Sequence, residues 1–124
     1  MGKTKTIEVS IRSLKTTYTL NDKWLETHHK VFGSGVENHP NYLCLKGDDN
    51  YLKMWFASMN NSNWEIQKKN LFELLKDIKK NGINDQIKIY RDGRINTGHK
   101  RACIALFLGQ ELIRVEIVQD DYKL

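Results

Sequence analysis

Residues 92–118 read DGRINTGHKRACIALFLGQELIRVEIV, and the fold follows from how this stretch is divided. Asp92-Gly93 is a favoured turn pair, and the residues after it, 94–96, are short and extended. Thr97-Gly98-His99-Lys100-Arg101 then opens an apolar helix that stops at Gly109, and residues 112–118 return as a strand. This order places two cations and several free backbone N–H groups at one helix start. Such a terminus carries partial positive charge and unsatisfied donors, so it stabilises anions, phosphate above all. Residues 97–101 are therefore the candidate phosphate-binding segment.

Working outward, Leu71, Leu74, Leu75 and Ile78 recur at the spacing of one buried helix face. Ser62 and Glu65 read as a capping box for that helix, Lys76, Lys79 and Lys80 complement its C-terminal dipole, and Gly82 is its stop. Residues 83–90 alternate through Ile87 and Ile89 as a strand, and residues 6–11 alternate through Ile7, Val9 and Ile11 as another. Between them the pattern is harder. Residues 20–25 suggest a short helix, Gly33-Ser34-Gly35 a loop, and Asn38-His39-Pro40 a turn. Residues 42–45 suit a short strand or a buried connection. Asp48 is placed to cap a helix running to about Met59, with Tyr51, Leu52, Trp55 and Phe56 on its apolar face. The order of elements predicts one α+β domain, a mixed sheet flanked by helices, with a core from residues 6–14 and 64–118 and an insertion at 16–63.

The chain has 124 residues, 40% hydrophobic and 28% charged, in keeping with one globular domain. Its net charge of +5 favours acidic partners such as nucleotides, nucleic acid or anionic surfaces. For nucleic acid the contacts would be Lys15, Lys23, Lys30, Lys68, Lys69, Lys79, Lys80 and Lys100. Cys44 and Cys103 lie in apolar runs and read as buried free thiols in a reducing compartment. No apolar run reaches the ~20 residues that span a bilayer and no signal peptide opens the chain, so the expected location is the cytoplasm. Gly2-Lys3-Thr4 lacks the strand and first glycine of a phosphate-binding Walker loop. His28, His29, His39 and His99 show no metal-site spacing.

Residues 82–118 resemble the ParB/sulfiredoxin-like superfamily. The resemblance rests on a helix ending at Gly82, a strand at 87–90, the turn Asp92-Gly93-Arg94, the segment Gly98-His99-Lys100-Arg101-Ala102, a helix to Gly109 and a strand at 113–118; Arg12-Ser13-Leu14 adds to it. It covers about half of the chain. It implies that Thr97, Gly98, His99, Lys100 and Arg101 hold nucleotide phosphates, with Gly98 allowing close backbone approach and Arg101 contacting phosphate oxygens. The nucleotide would be ATP, ADP or CTP with Mg²⁺, and the activity, if any, hydrolysis or phosphoryl transfer. Sulfiredoxins carry a reactive Cys where this chain has His99, and Cys103 lies a turn later, so their chemistry is not expected. Partition ParB proteins have Gly-Glu-Arg-Arg and continue into a helix-turn-helix, so a stand-alone domain is expected here. The Gly-His-Lys-Arg form is closer to that of ParB-like kinases and small stand-alone members, which it resembles. Candidate acid/base or Mg²⁺-holding residues are His99, Glu8, Glu37 and Asp92. The alternatives are a nucleic-acid-binding, nuclease or partition-type protein, and a non-catalytic interaction protein on the same fold.

Overall fold

A computed structural model describes residues 5–16, 35–58, 63–83 and 87–118. Strand β1 (Lys5–Ser10) runs into a 3₁₀ turn at Ile11–Ser13. A second 3₁₀ turn, Val36–Asn38, leads into helix α1 (Pro40–Leu45), followed by α2 (Asn50–Ser58) and α3 (Trp64–Asn81). Strands β2 (Ile87–Ile89) and β3 (Ile95–Thr97), helix α4 (His99–Phe107) and strand β4 (Leu112–Ile117) complete the described chain. The helix expected at residues 20–25 lies outside the described residues.

The strands form one mixed sheet in the order β1-β4-β2-β3. β4 lies between β1, antiparallel to it with Ile7 opposite Val115, and β2, parallel to it with Ile87 opposite Val115. A parallel pair needs a crossover, and here β3 and α4 supply it. Alternation sends Ile7, Val9, Ile113, Val115, Ile87 and Ile89 to the face that the helices cover. Thr6, Glu8, Ser10, Arg114 and Lys88 go to the other face, and all five are exposed. The fold is α+β, with helices against one face of a mixed sheet, as the element order predicts.

Helix α4 is the centre of the packing. Its residues Ala102, Cys103, Ile104, Ala105 and Leu106 are all buried in succession, so no solvent face interrupts that run. α1, the 36–38 turn, α3, β2 and the 11–13 turn all pack against it. α3 buries Leu71, Leu75 and Ile78, and Leu74 packs half-buried against the same core. The helix ends at Gly82, at φ 76°.

Three local expectations need correction. Residues 42–45 are helical, within α1, and Asn38-His39-Pro40 is the entry to that helix instead of a turn. Pro40 sits in the first helical turn, where its fixed φ and missing N–H cost nothing. The cap is His39, whose Nδ1 accepts a hydrogen bond from the Asn41 N–H at 3.1 Å; Ser, Thr, Asp and Asn are the residues that usually signal such a cap. α3 begins after Asn63, not Ser62, and Asn63 makes no side-chain capping bond. Ser62 itself lies outside the described residues. The expected strand at 83–90 is shortened to Ile87–Ile89 among the described residues. Residues 35–58 also belong to the common core, through Val36, Cys44, Leu45, Leu52 and Phe56.

Candidate phosphate-binding corner

The β2–β3 hairpin turns at Asp92-Gly93, with Gly93 at φ 94°. The Asp92 carboxylate accepts from the Arg94 backbone N–H at 3.1 Å and from its Nε at 2.7 Å. These bonds to Arg94 hold the Asp92 carboxyl below its usual range. Arg94 also lies over the Tyr90 ring at 5.1 Å. Asp92 is thus a turn residue engaged by Arg94. In the hairpin Lys88 pairs with Thr97 and Ile89 with Ile95, so the tip at Asp92 and the exit at Thr97 are at opposite ends.

At that exit the chain turns through Gly98, at φ 103°, and enters α4. A Cβ on Gly98 would stand 2.9 Å from Ile87 Cγ1 and 3.2 Å from Ile87 Cα. Glycine is therefore demanded by the close approach of the helix start to β2, quite apart from any ligand. Gly98 makes no side-chain capping bond to the first turn. Thr97 is exposed, and His99, Lys100 and Arg101 are half-buried. Residues 97–101 accordingly occupy the mouth of α4.

The electrostatics of that mouth are unfavourable to cations. Burial, and then the neighbouring Arg101 charge, lower the Lys100 pKa from its ordinary value. Two cations at a helix N-terminus also oppose its dipole. Burial lowers the pKa of His99, favouring a neutral ring that can accept a proton and donate a hydrogen bond. The His99 ring packs against His39, centroids 5.6 Å apart, and His39 meets Trp55 edge-on at 5.2 Å. Neighbouring positions in a helix wheel or strand give no hint of a pair separated by sixty residues in sequence. The sequence carries no spacing signal that pairs His39 with His99.

Of the other acid candidates, Glu8 and Asp92 are not brought to this mouth. Glu8 is on the exposed face of the sheet, opposite Arg114 in register. Glu37 lies on the 36–38 turn that packs against α4, and its carboxylate is 3.4 Å from Arg12 Nη1. No group of three or more His, Cys, Asp or Glu is gathered for a metal ion among the described residues. Glu8 and Asp92 therefore do not fit a Mg²⁺-holding role at residues 97–101. Cys103 is fully buried and burial pushes its thiol up, the opposite of a reactive thiolate. Cys44 is also free and buried. A surface depression is lined by Ser10, Arg12, Glu111 and Leu112, none of which belongs to residues 97–101.

Comparison with protein-family models, curated proteins and solved structures gives no match to the chain. Among the described residues no helix is long and apolar enough to cross a membrane.

Proposed function

We propose that the mouth of α4 binds the phosphate groups of a nucleotide, on an arrangement of the ParB/sulfiredoxin-like kind. One observation carries the reading: Lys100 and Arg101 are crowded, half-buried, into the first turn of a helix whose glycine cap offers no side-chain acceptor. A bound phosphate would lie beside both cations and accept from first-turn amides. Arg101 suits phosphate oxygens through its planar fork and Lys100 acts as a point charge. Gly98 and Thr97 form the floor and edge of the corner, and His99 stands beside it as a proton acceptor. The reading extends to binding; hydrolysis or transfer would need an acceptor and a Mg²⁺-holding carboxylate that these residues do not supply.

The test is thermal unfolding with ATP, ADP, CTP and inorganic pyrophosphate, each with and without Mg²⁺. A ligand present at a hundred times its Kd stabilises the native state by about 2.7 kcal/mol, on the order of 10 °C in Tm for a chain of this size. Arg101→Ala is expected to abolish the shift and Lys100→Gln to reduce it, with both variants folded. Absence of a shift across the panel, or a shift that Arg101→Ala leaves unchanged, removes the assignment.

A second reading is favoured by the exposed lysines of α3, Lys69, Lys76, Lys79 and Lys80, on a chain of net charge +5. If nucleic acid is the partner, its affinity will fall steeply with salt. Mononucleotide-induced stabilisation at moderate salt would speak against that partner being the primary one.

A further inference from the structure

We propose that His39 and His99 form a proton-operated latch: neutral, the two rings clasp residues 36–41 onto the mouth of α4, and protonated they release that corner. The inference concerns the protein alone and does not depend on a ligand. Its geometry is a stack of contacts in a confined space. His39 is 1% exposed, lies edge-on to Trp55, and faces His99 across 5.6 Å with ring planes tilted by 33°. Its Nδ1 is an acceptor for the Asn41 N–H, so the neutral tautomer holding its proton on Nε2 is the one that caps α1.

Adding a proton to Nδ1 turns that acceptor into a donor. Two N–H groups then face each other, the cap of α1 is lost, and a positive charge is enclosed among core residues beside a second imidazole. Charged and titratable side chains on the surrounding elements are Glu37 on the 36–38 turn, Tyr42 and Cys44 on α1, Tyr51 and Lys53 on α2, and Lys100, Arg101 and Cys103 on α4. Glu37 is engaged by Arg12, and Lys100 and Arg101 have the same sign as an imidazolium. Burial, and then the charge of His99, set the His39 pKa well below its ordinary value, and burial lowers that of His99. Depressed imidazole pKa values mean that the unfolded corner binds more protons than the closed one. The closed state is thus fully favoured above about pH 6.5, the ordinary histidine value, and weakens as pH falls below it.

Proton and nitrogen NMR of the full chain between pH 7.5 and 4.5 tests this directly. Both rings should titrate below the ordinary value, His99 before His39. The amide signals of residues 36–39 and 41 should leave their native positions together with His39, while those of the paired strands stay. His39→Asn retains an acceptor at the cap and has nothing to titrate, so its 36–41 signals should stay native through the same range. His99→Gln should raise the His39 midpoint by removing its neighbour. The latch is overturned if His39 titrates at its ordinary value, if residues 36–41 do not move with it, if the sheet unfolds with them, or if His39→Asn responds as the wild type does.

Discussion

Gly98→Ala should cost about 2–5 kcal/mol in denaturant unfolding, combining the strain of a left-handed non-glycine residue, ~1–2 kcal/mol, with overpacking of ~1–3 kcal/mol. The new Cβ would meet Ile87 at 2.9 and 3.2 Å, and the second contact is with backbone, which cannot swing aside as a side-chain tip can. Gly109→Ala is the matched control. Its φ is 88°, and nothing lies within 4 Å of its added Cβ, so only the conformational strain of ~1–2 kcal/mol applies. The difference between the two variants measures how tightly the start of α4 is pressed on β2. Equal losses would mean that the helix start can back away from the strand. Because Gly98 is required by packing, a loss of nucleotide binding in Gly98→Ala would not separate a missing phosphate contact from a displaced helix. Arg101→Ala and Lys100→Gln leave Gly98 and its contact with Ile87 in place.

The fold was legible where one period governed a whole element. The 71–78 stripe gave α3, the alternation at 6–11 gave β1, and the Asp-Gly pair gave the hairpin that delivers the chain to Gly98. The position of residues 97–101 at a helix mouth followed from the same turn and glycine signals. What could not be read was long-range. α1 is too short to show a helical period, and it is held by a histidine cap and by burial of Pro40, Asn41, Cys44 and Leu45 against neighbours distant in sequence. The pairing of His39 with His99 belongs to the same class, since nothing local encodes it. Glu8, Glu37 and Asp92 were candidates only because carboxylates are what phosphate chemistry needs. Sheet alternation and two short bonds from Arg94 decide against the first and the last at this corner.

The 16–63 segment is where the sequence reading and the packing diverge most, and Leu52 offers the strongest test of the difference. A segment merely inserted into a core of residues 6–14 and 64–118 would tolerate truncation of its own apolar side chains. Leu52 is 0% exposed and shares one core with Leu71, Ile104 and Val115. Leu52→Ala is therefore expected to cost about 2–5 kcal/mol, the range for a large buried aliphatic side chain reduced to alanine. That is a large share of the roughly 5–15 kcal/mol that stabilises a typical domain. At pH 7, above the ordinary histidine value, unfolding followed by tryptophan fluorescence and by far-ultraviolet circular dichroism should give coincident transitions, both displaced by the same amount in the variant. If fluorescence instead reports an earlier, separate transition while the backbone signal keeps its wild-type midpoint, residues 35–58 fold as an appendage. In that case the mouth of α4 would owe its shape to the sheet and α3 alone. Coincidence would mean that α1 and α2 are part of the wall against which α4 is held, so that the position of Lys100 and Arg101 depends on side chains forty or more residues away in the chain.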